Sequence, residues 1–134
     1  MADKGKKQEN RSKSCLYLLP ERASAKQLAE ALPSSEGAGY ITSQDIEIWT
    51  DFNCLELTLK NGILTLEELS AEEMGEEDDS LLQKLGMVQI YACDYEESAG
   101  EEVRQVMSAL KTAFGGIFAS DTEDFTPFLE AEEL

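Results

Sequence analysis

Residues 54–69 read CLELTLKNGILTLEEL, and this stretch decides the fold. Asn61-Gly62 lies between two runs in which apolar and polar residues alternate. A two-residue type I′ turn needs positive φ at both central positions, which asparagine tolerates and glycine adopts freely, so the stretch reads as a β-hairpin. With Asn61-Gly62 as the turn, Lys60 faces Ile63, Leu59 faces Leu64, Thr58 faces Thr65 and Leu57 faces Leu66. Opposed residues share a face. Leu55, Leu57, Leu59, Leu64 and Leu66 therefore form one apolar surface, and Glu56, Thr58, Lys60, Ile63, Thr65 and Glu67 form the other. A slip of one residue would turn every leucine to water, which ties the register to burial.

The preceding run extends the pattern. With Phe52-Asn53 as the connection, Thr50 faces Leu55, Ile48 faces Leu57 and Ile46 faces Leu59; Phe-Asn is a poor two-residue turn, so a longer loop around Asp51–Asn53 is the alternative. The result is a three-stranded antiparallel meander over 45–51, 54–60 and 63–68. Its leucine face needs a cover, because so small a sheet is not stable alone in water. The best cover is a helix over 99–114. Val103, Val106, Met107, Leu110 and Phe114 recur at helical spacing, Ser98 with Glu101 forms a capping box, and Gly115 suits the C′ position.

The remaining elements fall around this unit. Cys15–Leu19 is a short apolar strand closed by Pro20, and Ser24 with Gln27 opens a helix over 25–32. Residues 80–85 form a short helix, starting as early as Asp78 and ended by Gly86. Met87–Cys93 shows little polar alternation and reads as a strand with both faces covered. Ile117–Ala119 is a last short strand, and Thr126-Pro127 reads as an N-cap followed by proline at N1 of a C-terminal turn or helix. The expectation is a single α+β domain. A mixed or mainly antiparallel sheet includes the meander, carries helices packed on one face and has 15–19 and 87–93 near its centre. Residues 1–14 are expected as a disordered basic tail, 15–120 as the domain and 121–134 as an acidic tail docked on it.

Charge and composition bound the function. Net charge is −17. Residues 1–13 hold five basic and two acidic side chains, +3, whereas residues 14–134 hold six basic and twenty-six acidic ones, −20. Such a domain repels phosphate backbones, so no nucleic-acid partner is expected, while a basic protein is. No run approaches a membrane span and no apolar signal core is present, so a soluble cytoplasmic protein without a membrane partner is expected. The chain contains no histidine. This excludes Cys-His and Ser-His catalysis and any histidine-ligated metal. Cys15, Cys54 and Cys93 lack metal-knuckle or redox spacing and read as reduced thiols.

The Gly-rich loop SSEGAGY at 34–40 has no phosphate-binding pattern and reads as a connector. The acidic run SAEEMGEEDDS at 70–80 does not match a calcium loop and reads as a solvated surface. No cofactor or metal is expected. Three functional readings follow. The first is a non-enzymatic protein-binding or regulatory module for a basic surface; small acidic immunity proteins have this charge character, a comparison of composition only. The second is a small enzyme using carboxylates with a divalent cation, from Asp94, Glu96 and Glu97 or from Asp121, Glu123 and Asp124. The third is a subunit of a homo-oligomer, prompted by Trp49 on an otherwise polar face. The residues expected to meet a partner are Trp49, Glu47, Glu56, Glu67, Glu72, Glu73, Phe125 and Phe128.

Overall fold

The structure is a computed structural model that describes residues 12–32, 46–59, 61–69, 76–122 and 125–134. The basic segment 1–11, the Gly-rich loop 34–40, Lys60, Glu72, Glu73, Glu123 and Asp124 lie outside them. Among the described residues the elements in order are β1 (Ser12–Leu19), α1 (Ala25–Glu30), β2 (Ile46–Trp49), β3 (Cys54–Leu59), β4 (Gly62–Glu68), α2 (Glu76–Leu85), β5 (Gln89–Glu96), α3 (Gly100–Phe114), β6 (Ile117–Ala119) and β7 (Phe128–Leu129). A 3₁₀ turn at Glu97–Ala99 leads into α3, and another follows β7 at Ala131–Glu133. The chain is a single α+β domain built on one seven-stranded sheet of order β2-β3-β4-β5-β1-β6-β7, and all six pairings are antiparallel. The meander and the central placing of β5 and β1 follow the sequence reading. β1 starts at Ser12, ahead of the expected Cys15, and pairs there with Glu96.

The hairpin register differs from the expected one by two residues. Leu55 opposes Leu66, Leu57 opposes Leu64, and the pairing closes at Leu59 and Gly62. Asn61 lies in the turn, and Gly62 already belongs to β4. The reason is tertiary. The backbone N–H and the side-chain amide of Asn61 both donate to Glu102 Oε1, at 3.1 and 2.6 Å, and Ser98 Oγ donates to the Asn61 carbonyl at 2.6 Å. Gly62 packs so closely that a Cβ there would stand 3.1 Å from the Cβ atoms of both Ala99 and Glu96. The start of α3 holds the turn against the local preference for Asn-Gly as its centre. Ser98 is thereby taken from its expected role: Ala99 is the N-cap of α3, with no side-chain cap bond. A two-residue shift leaves every side chain on its expected face. β2 and β3 shift likewise, closing at Trp49 and Cys54 around the longer loop 50–53.

On the leucine face, Leu55, Leu57, Leu59, Leu64 and Leu66 pack with Val103, Val106, Met107 and Leu110 of α3 and Leu28 of α1. Each fully buried leucine contributes roughly 1.5–3 kcal/mol. The Ser24 capping box is formed in both directions. The opposite face has its own, smaller core. Leu82 of α2 packs with Leu16, Leu18, Ile90, Ala119 and Phe125. Helices on one face thus describe α1 and α3, while α2 covers β5, β1 and β6 from the other side, as the missing polar alternation of β5 requires. Gly116, at φ 90°, lies where a Cβ would meet the Leu18 carbonyl oxygen at 2.3 Å. Thr126-Pro127 leads into β7, which pairs Phe128 with Ala119, and of the expected C-terminal turn or helix a 3₁₀ turn at Ala131–Glu133 is formed beyond it.

Candidate functional site

The meander sets four of the expected partner residues side by side. Glu47 directly opposes Glu56, and Trp49 opposes Cys54, which opposes Glu67. All lie on the face away from the leucines. Among the described residues, the apolar neighbours of α2 on the sheet lie on β5, β1 and β6. Glu47 and Glu67 are exposed, Glu56 is half-buried, and Trp49, the only tryptophan of the chain, is 41 % exposed. Phe52, in the adjoining loop, is 67 % exposed. Asp94 continues the Glu47–Glu56 row across Thr65 of β4 and is exposed too. Cys54 is buried between Trp49 and Glu67, and its thiol is held above the ordinary value by burial first and then by the charges of Glu67 and Glu56. A protonated thiol there packs and does not attack.

Phe125 and Phe128 separate. Phe125 is 3 % exposed, inside the α2 core, and so presents nothing to a partner. Phe128 is 48 % exposed but lies on β7, at the far edge of the sheet. It shares a face with Trp49, yet six strand spacings part them, roughly 29 Å. They cannot belong to one small patch. Of the carboxylates considered for catalysis, Glu96 Oε1 accepts from the Ile63 N–H at 3.2 Å, Glu97 lies in the 3₁₀ turn before α3, and Asp121 is exposed after β6. Among the described residues no three His, Cys, Asp or Glu side chains are grouped to hold a metal ion. No helix among them is long and apolar enough to cross a membrane.

A polar cluster beside this face escaped the sequence reading. Asn53, at φ 48°, accepts from the Ala25 N–H at 2.7 Å and donates to Glu68 Oε1 and to the Tyr91 hydroxyl, each at 2.9 Å. Tyr91 in turn donates to the Ala23 carbonyl, Arg22 pairs with Glu68, and Gln89 accepts from the Ala23 N–H at 2.8 Å. These groups border a cleft of about 300 Å³ lined by Arg22, Ser24, Gln27, Thr50, Asn53 and Gln89. Burial pushes the Tyr91 phenol up to about 12, against the hydrogen bond from Asn53. No buried side-chain polar atom among the described residues lacks a partner. The cluster is a clasp that fastens loop 50–53 to the entrance of α1, and it thereby fixes the loop next to Trp49. It holds no nucleophile with an adjacent base.

The cysteines are all unpaired covalently. Cys15 and Cys93 are direct partners across β1 and β5, both buried on the leucine face. A hydrogen bond to Cys15, together with burial, keeps the Cys93 thiol well above its ordinary value. Comparison with protein-family models, with curated proteins and with solved structures finds no match to this chain.

Proposed function

We propose that the protein is a non-enzymatic binding module that engages a basic protein surface through Trp49 and the carboxylates of Glu47, Glu56 and Glu67. One observation carries this reading. Two like charges, Glu47 and Glu56, stand directly opposed beside a half-exposed tryptophan. Directly opposed like charges destabilise a sheet, and a cation supplied from outside would relieve them. A large aromatic with an apolar body is the residue type that anchors interfaces. The −20 of residues 14–134 would speed the approach of a basic partner.

Trp49 is its own reporter. Its emission is expected to change on titration with polylysine at low salt and to stop responding near about 0.5 M salt, where exposed charges are screened. Replacing Glu47, Glu56 and Glu67 by glutamine should weaken the response about tenfold, whereas Glu21→Gln, Glu30→Gln and Asp121→Asn together, which remove the same charge elsewhere, should change it less than about twofold. Equal weakening by both sets would reduce the effect to net charge and overturn the assignment of the face. A silent wild-type titration would remove the reading altogether.

A further inference from the structure

The two edges of the sheet are built differently. β7 has two residues, Phe128 and Leu129, and is entered through Pro127, which has no N–H to offer. Short edge strands and proline are the usual ways of closing a sheet to further pairing. β2, at the other edge, is Ile46–Trp49, and among the described residues it pairs only with β3. It contains no proline, lysine or glycine; three of its four residues are isoleucine or tryptophan, and three of the four are exposed. Such a strand offers about two N–H and two C=O groups outward, in the spacing that another strand needs.

We propose that β2 accepts an extended, basic segment of a partner protein as an added strand, which rests on the basic-partner reading above. The side chains of β2 say what that strand carries. Ile46 and Ile48 point to the leucine side, Ile48 being 36 % exposed, so every second residue of the added strand meets an apolar neighbour there. Its other residues meet Glu47 and Trp49, with Glu56 one strand further in. Lysine or arginine satisfies these positions: its charge meets the carboxylates and its stem or guanidinium lies along the indole. The partner segment therefore alternates basic and apolar residues. Backbone hydrogen bonds supply affinity in this mode, and the alternating side chains supply selection. A second copy of this chain fits the edge less well, since each copy brings a net charge of −17.

The test uses the full chain and a fluorescent peptide of alternating lysine and valine, beside the same peptide N-methylated at every second residue. Methylation keeps charge and composition but removes the donors that pair with an edge. Anisotropy at low salt should show the plain peptide binding at least about tenfold more tightly than the methylated one. Amide exchange should show β2 open in the free protein and protected in the complex, with β7 unchanged. Equal binding of both peptides overturns strand addition but leaves the acidic-face reading standing. No binding of either overturns both. Slow exchange of β2 in the free protein also overturns the proposal: if sedimentation finds a dimer, a second copy holds the edge, and if it finds a monomer, the chain covers β2 itself.

Discussion

One face of the sheet behaves in two ways. Along a single row of paired positions, Trp49, Cys54, Glu67, Ala92, Leu16, Ala119 and Phe128 follow one another across all seven strands. Under α2 the row is apolar and closed, with Leu16 at 2 % exposure and Ala119 at 0 %. Two strands away it carries the exposed Glu67 and the half-exposed Trp49, with the buried Cys54 between them. The inner half is held by packing under α2, and the outer half is where the proposed partner would sit. Leu18→Ala breaks the comparison most directly. Leu18 is fully buried beside Leu82 and Ile90, and the substitution should cost roughly 2–5 kcal/mol, read as a lower urea midpoint. If Trp49→Ala cost as much, the outer half would belong to the core and the division would fall.

Alkaline unfolding sharpens the same division between covered and open regions. Tyr91 and Tyr95 are both buried, and burial pushes each phenol up to about 12. The folded protein therefore keeps protons that the unfolded chain gives up above pH 10 or so. More protons bound in the folded state means that stability falls as the pH rises. The tyrosine contribution is complete below about pH 10 and is lost between about 10 and 12, roughly 2–3 kcal/mol for each group. Cys93 and Cys54, held above their ordinary 9.0, begin the loss somewhat earlier. Urea midpoints measured from pH 8 to 11.5 should show this decline, and Tyr91→Phe should flatten it. An unchanged slope in that variant would mean that Tyr91 ionises freely.

Most of the fold was legible because side-chain faces survive a shift by two. Asn61-Gly62 predicted the wrong turn centre, yet the leucines stayed buried and Trp49 stayed with the carboxylates. What could not be read were contacts between distant segments. Ser98 has the sequence signature of a cap, but its hydroxyl goes to the Asn61 carbonyl, thirty-seven residues away. Thr126-Pro127 resembles a helix start as much as the entry to a two-residue strand. The grouping of Trp49, Glu47, Glu56 and Glu67 was visible because all four lie within one meander, where register alone brings them together. The Asn53 clasp draws on Arg22, Glu68, Gln89 and Tyr91, from three other parts of the chain, and no local pattern announces it. Phe125 and Phe128 stand three residues apart and look alike in sequence, but only the first finds a core.

Glu56→Gln tests the open half from the side of stability. Removing one of two directly opposed carboxylates should stabilise the protein by roughly 0.2–1 kcal/mol at low salt, with less effect at high salt. The same change should weaken polylysine binding. Gain of stability with loss of binding is the signature of a residue kept for a partner and not for the fold. Loss of both would mean that Glu56 holds the sheet together, and the reading of this face would fail.

Trp49→Ala has the smallest expected effect on folding. A buried tryptophan costs roughly 3–5 kcal/mol to truncate. Trp49 is 41 % exposed, at an edge strand and outside both core clusters, so the change should stay within about 1 kcal/mol. Its effect on binding should be disproportionate, because the half-exposed indole stands among the carboxylates of this face and offers a partner cation a surface to stack on. Stability is read by the far-ultraviolet signal, since the variant has no tryptophan emission, and binding by the anisotropy of the labelled lysine–valine peptide. A loss of affinity of about tenfold with a nearly unchanged urea midpoint supports Trp49 as an anchor. Unchanged affinity would leave only the carboxylates in contact, and the attraction would then be electrostatic without a docking point.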